Sequence, residues 1–336
     1  MRVLITGGAG FIGSHLAERF LKAGDQVSVI DDLSTGSFDN IAHLKSSSRF
    51  TYTIDTVFNR SLIGELVDCC DIVYHLAAAV GVRLVVDNPV RTIETNVHGT
   101  EVVLGAVAKK KRRIVLASSS EVYGKSTKVP FREDADLVIG PTTINRWGYA
   151  CSKALDEFLG LAYWREMSVP VTVVRLFNTV GPRQTGQYGM VLPTFVQQAL
   201  LGEPITVYGS GDQTRCFAYV DDVIEALARI AQFDNVAGEV LNIGNDEEIS
   251  ISSLASMVKS TTQSASQICR VPYETAYGRG FEDMPRRVPS LDKIQRLLDY
   301  RPTTSAQTIV ERVVSEFRAH LTGTVEAKPA SCIRNA

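Results

Sequence analysis

A glycine-rich loop near the amino terminus constrains the fold of this chain more than any other feature of its sequence. An apolar run at 2–5 leads into Thr6-Gly7-Gly8-Ala9-Gly10-Phe11-Ile12-Gly13, and a helical pattern begins at the last of these residues. Gly7 and Gly10 permit a tight turn and the close approach of a pyrophosphate, while Gly13 permits close packing of helix on strand. The free N–H groups and positive dipole end of the helix attract phosphates. The loop therefore predicts a dinucleotide site; the alternative is a simple turn between strand and helix.

Short runs rich in β-branched residues alternate with helical stretches through the first half of the chain. Such runs are typical of strands that are buried on both faces of a parallel sheet. Helices are predicted at 13–23 and 90–110, and strands at 2–5, 26–30, 49–54, 71–76, 113–117 and 171–176. This order predicts an α/β fold with a Rossmann-like, doubly wound parallel sheet.

The regularity weakens after Asn178, where prolines and glycines become frequent. Further helices are predicted at 192–201 and 220–231, and a strand at 239–243 is expected to return to the sheet. We therefore expect a Rossmann domain made of 1–178 plus about 216–244, and a smaller C-terminal lobe made of about 179–215 plus 245–321. The polar segment 322–336 is predicted to be a flexible tail.

Composition argues against several classes of partner. The chain has 35 Lys and Arg against 37 Asp and Glu, and a net charge of -2 gives no surplus to attract nucleic acid or an anionic membrane. No apolar run approaches the roughly 18 residues of a membrane-spanning helix. The six cysteines show no Cys-x-x-Cys or His/Cys cluster, so no metal site is expected. Because the chain begins directly with the strand and the glycine loop, we expect no secretory signal and a cytoplasmic location with reduced thiols.

An acid at the end of the second predicted strand distinguishes between nicotinamide cofactors. Asp31 lies 18 residues after Gly13, where an adenosine ribose presents its two hydroxyls. A carboxylate accepts hydrogen bonds from both hydroxyls but repels a 2′-phosphate, so NAD is predicted rather than NADP. Asp55, after the third strand, is expected to meet the adenine amino group, or else to be an exposed loop carboxylate. The other residues assigned to the cofactor are Gly7, Gly10, Phe11, Ile12, Gly13, Asp32, Thr56, Leu76, Ala77, Ala78, Asn96, Tyr149 and Lys153.

A tyrosine and a lysine stand four residues apart in the sequence Tyr149-Ala150-Cys151-Ser152-Lys153, which places both on one helix face. A cation beside a phenol lowers the pKa of the phenol, so Tyr149 is predicted to act as a general base near neutral pH. Alone, such a pair is usually an accident of a helix surface. Here it follows a dinucleotide motif and a serine run, 118–120, at the end of the fifth predicted strand.

The TGxxGxxG loop together with the YxxxK pair resembles the extended short-chain dehydrogenase/reductase superfamily, the NAD-dependent epimerases and dehydratases, from residue 2 to about 320. The resemblance implies that NAD stays bound and that Tyr149 takes the proton of a sugar 4-hydroxyl while a hydride moves from C4 to the nicotinamide. It further implies that Ser119 hydrogen-bonds the reacting oxygen, and that Lys153 tunes Tyr149 and holds the nicotinamide ribose.

The second half resembles the nucleotide-sugar lobe of the same superfamily, which implies a UDP-sugar substrate. By this match Asn178 and Arg215 are diphosphate contacts, Val207 and Tyr208 belong to the uracil pocket, and Arg287 reaches the same region. The other residues assigned to the substrate are Arg146 and Val191. The helices at about 95–110 and 149–163 resemble the superfamily's four-helix bundle, so a homodimer is expected.

A glutamate decides between reactions within the superfamily. Ser119-Ser120-Glu121-Val122-Tyr123-Gly124 resembles the motif of UDP-glucuronate decarboxylases, whereas 4-epimerases have an uncharged residue in place of Glu121. The 4,6-dehydratases pair that glutamate with an aspartate, where this chain has Ser120. Arg146-Trp147, Tyr277-Gly278 and the stretch 286–290 resemble the bacterial decarboxylase of the aminoarabinose pathway and plant apiose synthase. The apiose enzyme's cysteine has no equivalent here, because Val80 and Gly81 occupy its place, so ring contraction is not expected.

We therefore expect a UDP-glucuronate decarboxylase that yields UDP-xylose or its 4-keto precursor. Oxidation at C4 leaves the carboxylate β to a ketone, and Glu121 and Arg287 would handle the carboxyl end and reprotonation at C5. Glu121 would be protonated or would direct a water. The alternatives are a UDP-glucose or UDP-glucuronate 4-epimerase and a catalytically inactive NAD-binding regulator. Each charge also has a structural alternative: Glu121 as a loop cap, Arg146 on a helix surface, and Arg286 or Arg287 paired with Glu282 or Asp283.

Overall fold

The computed structural model describes residues 1–81, 85, 87–184, 190–277 and 282–326. The strands are β1 (Arg2–Thr6), β2 (Gln26–Asp31), β3 (Phe50–Ile54), β4 (Ile72–His75), β5 (Arg113–Ser119), β6 (Val171–Leu176), β7 (Thr179–Val180), β8 (Ile205–Tyr208), β9 (Thr214–Cys216), β10 (Ala218–Tyr219), β11 (Val240–Ile243), β12 (Glu248–Ser250) and β13 (Ile268–Val271). The helices are α1 (Phe11–Lys22), α2 (Asp39–Ala42), α3 (Arg60–Asp68), α4 (Pro89–Lys110), α5 (Arg146–Met167), α6 (Val191–Leu201), α7 (Val220–Ile230), α8 (Ile251–Thr262), α9 (Tyr273–Tyr277), α10 (Asp292–Leu298) and α11 (Ala306–Glu326). Short 3₁₀ turns follow α2 and β5.

Within these residues a seven-stranded parallel sheet forms the centre of the fold, in the order β11-β6-β5-β4-β1-β2-β3. The order reverses between β1 and β4, which is the switch point of a doubly wound sheet and the usual place for a ligand crevice. The predicted Rossmann-like α/β fold is confirmed, and the strand predicted at 239–243 does pair beside β6.

Alternation along β1 shows why its residues are apolar without a break. Val3 and Ile5 pack into the core that contains residues of α1 and α7, whereas Leu4 packs into the core that contains residues of α3 and α4. Successive side chains of a strand point to opposite faces, so a strand covered by helices on both sides needs apolar residues at every position. This burial fixes the carboxyl ends of the strands along one edge, where the site lies.

The remaining elements build a smaller lobe around α6, α8 and α11, with β8 paired to β13 and β9 paired to β12. The last helix extends to Glu326, into the segment predicted to be a tail, and residues 327–336 lie outside the described part. None of the helices described here has the length and apolarity to span a lipid bilayer. The described part also lacks a group of three or more His, Cys, Asp or Glu side chains able to hold a metal ion.

Candidate active site

A single cleft of about 2060 Å³ runs along the carboxyl edge of the sheet, between the glycine loop and the smaller lobe. Nearly all of the predicted site residues line it. Those at the cofactor end are Gly7, Gly10, Phe11, Ile12, Gly13, Asp31, Asp32, Asp55, Thr56, Leu76, Ala77 and Ala78. Those toward the smaller lobe are Ser119, Glu121, Arg146, Tyr149, Lys153, Asn178, Val191, Tyr208, Arg215 and Arg287.

The glycine loop leaves no room for side chains where it meets the cleft. Gly7 has a φ of +72°, and a Cβ atom there would lie 2.8 Å from the backbone nitrogen of Ala77. A Cβ at Gly13 would collide with the carbonyl oxygen of Gly7. Helix α1 begins at Phe11 without a side-chain cap, so its first N–H groups remain available to a ligand. The loop therefore has the shape and polarity that an anionic pyrophosphate requires.

Asp31 ends β2 beside this loop. Its Oδ2 accepts a hydrogen bond from the Ala9 N–H (2.9 Å) and its Oδ1 accepts one from the Leu33 N–H (2.8 Å). Burial raises the pKa of Asp31, and these backbone donors oppose that shift. The carboxylate is thus held in one orientation at the cleft wall, next to the place where a ribose would lie.

Asp55 lies at the cleft wall near the start of α3. Its Oδ1 accepts from the Thr56 N–H (2.7 Å), and its Oδ2 accepts from Asn59 Nδ2 (2.9 Å). The structure therefore gives Asp55 local partners as well as a position in the cleft.

Asn96 is the first correction to the predicted site. Its side chain does not line the cleft and is only 1% exposed. Its Oδ1 accepts from the Ala79 N–H (2.8 Å), and its Nδ2 donates to Ser152 Oγ (3.1 Å). The predicted direct contact with a cofactor is wrong for this side chain, because the face of α4 that carries it packs on α5. Asn96 instead positions the small residues that follow β4.

Val207 is the second correction. Its side chain is fully buried in the apolar core, whereas Thr206 and Tyr208 on either side of it line the cleft. Neighbouring side chains of a strand point to opposite faces, so β8 can present only alternate residues to a ligand. Tyr208 keeps its predicted place in the cleft, and the prediction for the Val207 side chain is wrong.

Tyr149, Ser119 and Lys153 meet where α5 passes the end of β5. Burial raises the pKa of the Tyr149 hydroxyl, and a hydrogen bond with Ser119 opposes that shift. The ammonium of Lys153 donates to Asp156 Oδ2 at 2.8 Å. The pKa of Tyr149 in the protein alone is raised rather than lowered, because burial acts on the phenol more strongly than the groups that oppose it. The charge of Lys153 is itself paired with Asp156.

Next to this group three arginines and two carboxylates form a buried network. Arg287 Nη2 lies 2.6 Å from Glu121 Oε1, and Arg146 Nη2 lies 3.3 Å from Glu121 Oε2. Arg146 and Arg215 also pair with Asp283, at 3.1 Å and 2.7 Å. One positive charge is in excess. Because buried charges attract a counter-ion strongly, the network favours an anionic ligand group at this end of the cleft.

Glu121 is ionised in this network. Burial raises the pKa of its carboxyl, but the guanidinium groups of Arg146 and Arg287 outweigh burial and hold the pKa at about 2. Glu121 is therefore ionised at neutral pH in the protein alone, and its protonation beside a bound uronate carboxylate stays a prediction. Its structural alternative as a loop cap fails, because the Glu121 side chain faces the arginines.

The structure shows which of the predicted charged residues are buried and with which partners they pair. Arg146 is buried rather than on a helix surface. Arg286 pairs with Glu248 on the surface and not with Glu282 or Asp283. Asp283, which was expected only as a partner of Arg286 or Arg287, connects Arg146 to Arg215 and also accepts from the Tyr273 hydroxyl (3.1 Å). Its position follows from long-range contacts, for which local sequence has no signal. Of the predicted pair Tyr277-Gly278, Gly278 lies outside the described residues.

Comparison with known proteins places this site among enzymes of nucleotide sugars. The family described as GDP-mannose 4,6 dehydratase matches residues 4–313. A UDP-N-acetyl-alpha-D-glucosaminuronate decarboxylase of Bacillus cytotoxicus is 41% identical over 318 residues, covering 94% of this chain and 98% of that protein. UDP-glucuronic acid decarboxylase 1 of Arabidopsis thaliana is 36% identical over 328 residues, covering 98% of this chain and 72% of that protein.

A solved structure extends the comparison to the whole fold. The UDP-glucuronic acid 4-epimerase from Bacillus cereus, in complex with UDP-glucuronic acid and NAD, superposes with a TM-score of 0.86 at 28% sequence identity. The match covers 95% of this chain and 100% of that chain.

Proposed function

Because the chain belongs to the GDP-mannose 4,6-dehydratase family, as its resemblance to the extended short-chain dehydrogenase/reductases predicts, we propose that it is an NAD-dependent decarboxylase of a UDP-linked uronic acid. The observation that carries this proposal is the buried network of Glu121, Arg146 and Arg287 beside Tyr149. A uronate carries its carboxylate on C5, next to the reacting C4. The excess positive charge gives that carboxylate a counter-ion.

The cleft fits NAD in shape and in donors. The loop around Gly7 and Gly13, which has no space for a Cβ atom, would hold the pyrophosphate, and Asp31 would accept the ribose hydroxyls. Asp55 lies at the adenine end, and Tyr149 with Lys153 lies at the nicotinamide end. When bound, NAD accepts a hydride from C4 of the sugar and can return it.

The residues around Tyr149 supply the proton chemistry. Tyr149 takes the proton of the sugar 4-hydroxyl as the ketone forms, and Ser119 hydrogen-bonds the same oxygen. The carboxylate is then β to a ketone and leaves as CO₂, while the electron pair moves into an enolate. Preorganised donors to such an oxyanion are typically worth a few kcal/mol each, and Tyr149 and Ser119 are placed to provide them. Ionised Glu121 orients Arg287 and directs a water toward C5 for reprotonation.

The two similar decarboxylases differ in the group at C2 of the sugar. The Bacillus cytotoxicus protein is named for a 2-acetamido uronate, and the Arabidopsis thaliana protein for glucuronate. Both substrates share the carboxylate that the arginine network would meet. We therefore propose the class of UDP-uronates, with UDP-xylose or its 2-acetamido counterpart as the product.

The second candidate function is a UDP-uronate 4-epimerase, which the Bacillus cereus structure favours. Epimerisation needs the same Tyr149 and Ser119 but keeps the carboxylate. Labelled carbon at the carboxyl position separates the two reactions. We expect the purified protein to release labelled CO₂ from UDP-glucuronate or from UDP-N-acetylglucosaminuronate and to form a pentose product of matching mass. Label kept in a 4-epimer would reject the decarboxylase, and the Tyr149→Phe variant serves as the inactive control.

We also propose a cytoplasmic homodimer. Helices α4 and α5 pack together and carry exposed apolar side chains: Val90, Ile93, Leu155 and Phe158. Phe158 is 67% exposed, and covering it with the same face of a second copy would bury apolar area. Light scattering should give twice the chain mass of 36.7 kDa.

The cysteines in the described part are free thiols, which suits the reducing compartment that we propose for this protein.

A further inference from the structure

A carboxylate that no motif predicts lies directly behind the reacting pair. Asp156 follows Lys153 by three residues on α5, and its side chain is 0% exposed. The Lys153 ammonium, itself almost fully buried, donates to Asp156 Oδ2 at 2.8 Å. Breaking a buried ion pair on one side is strongly unfavourable, so this pair holds the lysine side chain firmly.

Buried polar side chains extend from Asp156 toward the cofactor end of the cleft. The Thr100 side chain on α4 opposes the rise in the pKa of Asp156 that burial causes. Thr100 Oγ1 lies 3.3 Å from His75 Nε2, and His75 Nδ1 lies 2.7 Å from Thr6 Oγ1. The Thr6 hydroxyl accepts from the Ala77 N–H (3.3 Å), and Ala77 lines the cleft. Buried polar groups thus lie between the Lys153–Asp156 pair and the end of β1.

We propose that Asp156 is the positioning residue of the reacting pair: it holds the Lys153 ammonium at the cofactor end and balances its charge, so that Tyr149 experiences less positive charge than the YxxxK spacing alone would give. This proposal deepens the proposed function, on which it rests. Its consequence is that Asp156 sets the pH range in which Tyr149 works as a base.

The charged groups around Tyr149 and Lys153 determine how far the Asp156→Asn substitution changes the pKa of Tyr149. After burial and Ser119, the groups that act on the pKa of Tyr149 are Glu121 and Asp156, which raise it, and Arg287, which lowers it. Glu121 is already paired with Arg146 and Arg287.

The named groups packed around Asp156 do not change their charge near pH 7. Glu157, next to it, pairs with Arg175 at 2.8 Å. His75 is neutral near pH 7, because burial and the nearby Lys153 lower its pKa to about 3. Asp156→Asn therefore removes one negative charge and keeps the shape of the side chain.

The test uses the NAD-loaded protein and needs no turnover. Tyrosine labelled with ¹³C at Cζ reports ionisation by NMR, and Tyr149→Phe identifies the resonance of Tyr149. In Asp156→Asn we expect the pKa of Tyr149 to fall by about one unit, the effect of a charge roughly 10 Å away, two helical turns along, at an effective dielectric near 20. The dissociation constant of NAD should rise several-fold, since Lys153 loses its anchor. Glu166→Gln, which removes an exposed charge from the same helix, is the matched control and should change neither quantity.

Asp156→Glu separates charge from position and covers the case in which the asparagine variant does not fold. It should leave the pKa of Tyr149 close to the wild-type value while NAD binding weakens. Wild-type NAD affinity in the folded variants would overturn the proposal, as would an unchanged pKa of Tyr149 in a folded Asp156→Asn. Because neither measurement uses a sugar, failure to release CO₂ from a UDP-uronate would reject the proposed function without deciding the role of Asp156.

Discussion

The two halves of the cleft are built in different ways. The cofactor half comes from neighbouring elements, β1, α1 and β2, and the carboxylate of Asp31 is held there by backbone N–H groups. The substrate half joins charged side chains that are far apart in the sequence: Glu121, Arg146, Arg215, Asp283 and Arg287. A substitution in the cofactor half removes one interaction. A substitution that removes one charge from the substrate half leaves its former partners as uncompensated buried charges, which destabilises the fold more.

Tyr149 lies where the two halves meet, and its variant should show the largest effect. Without the phenolic hydroxyl, Tyr149→Phe loses the general base for C4, which is typically worth 10²–10⁴ in rate. We expect the formation of bound NADH to fall by that factor. Substrate affinity should persist, since Asn178 and Arg215 are unchanged. Wild-type turnover in this variant would show that the base lies elsewhere.

Glu121→Gln tests the substrate half. It removes the negative charge with which Arg146 and Arg287 pair, so the free energy of unfolding at pH 7 should fall by about 3 kcal/mol. CO₂ release should slow more than the first hydride transfer, because the carboxyl end is what the network holds.

The same variant has a defined pH dependence. The folded pKa of Glu121, about 2, lies below its ordinary value. Its ionised form therefore stabilises the fold fully above about pH 5, and that contribution is lost as the pH falls through 2. Urea denaturation at several pH values should show the widest gap between wild type and variant at pH 7 and a narrowing gap below pH 5. A gap that does not change with pH would argue against the ion pairs as its source.

The contrast between the two halves of the cleft also explains which parts of the site could be predicted from the sequence. The glycine loop, Asp31 and the Tyr149–Lys153 pair are local patterns, and their places in the fold follow from strand order alone. Asn96 and Val207 were misplaced because a residue type does not reveal which way its side chain faces on a packed helix or strand. Asp156 gave no signal, and Asp283 was expected only as a partner of Arg286 or Arg287, since the partner of a buried charge is decided by tertiary contacts.

Asp31→Ala tests the cofactor half, where a smaller effect is expected. Two ribose hydroxyls lose a charged acceptor, at about 1 kcal/mol or more each, so the dissociation constant of NAD should rise roughly thirty-fold or more. Calorimetry with the purified apoprotein measures it, and Asp31→Asn, which keeps the shape, is the control for the loop. Unchanged NAD affinity in Asp31→Ala would mean that the ribose lies elsewhere.

Arg286 and Arg287 are adjacent in the sequence, and the Arg286→Ala variant should show the smallest effect of all and serve as the control for Arg287→Ala. Arg286 pairs with Glu248 at 2.7 Å on the surface, where water screens the charges and such pairs contribute little. We expect Arg286→Ala to leave the urea midpoint and the rate of CO₂ release within experimental error. Arg287→Ala removes the same side chain one residue later, but there it deprives buried Glu121 of its partner at 2.6 Å. Both stability and CO₂ release should therefore fall in Arg287→Ala alone. Equal losses in the two variants would show that burial does not set the value of a charge in this protein, and the contrast between the two halves of the cleft would then fail.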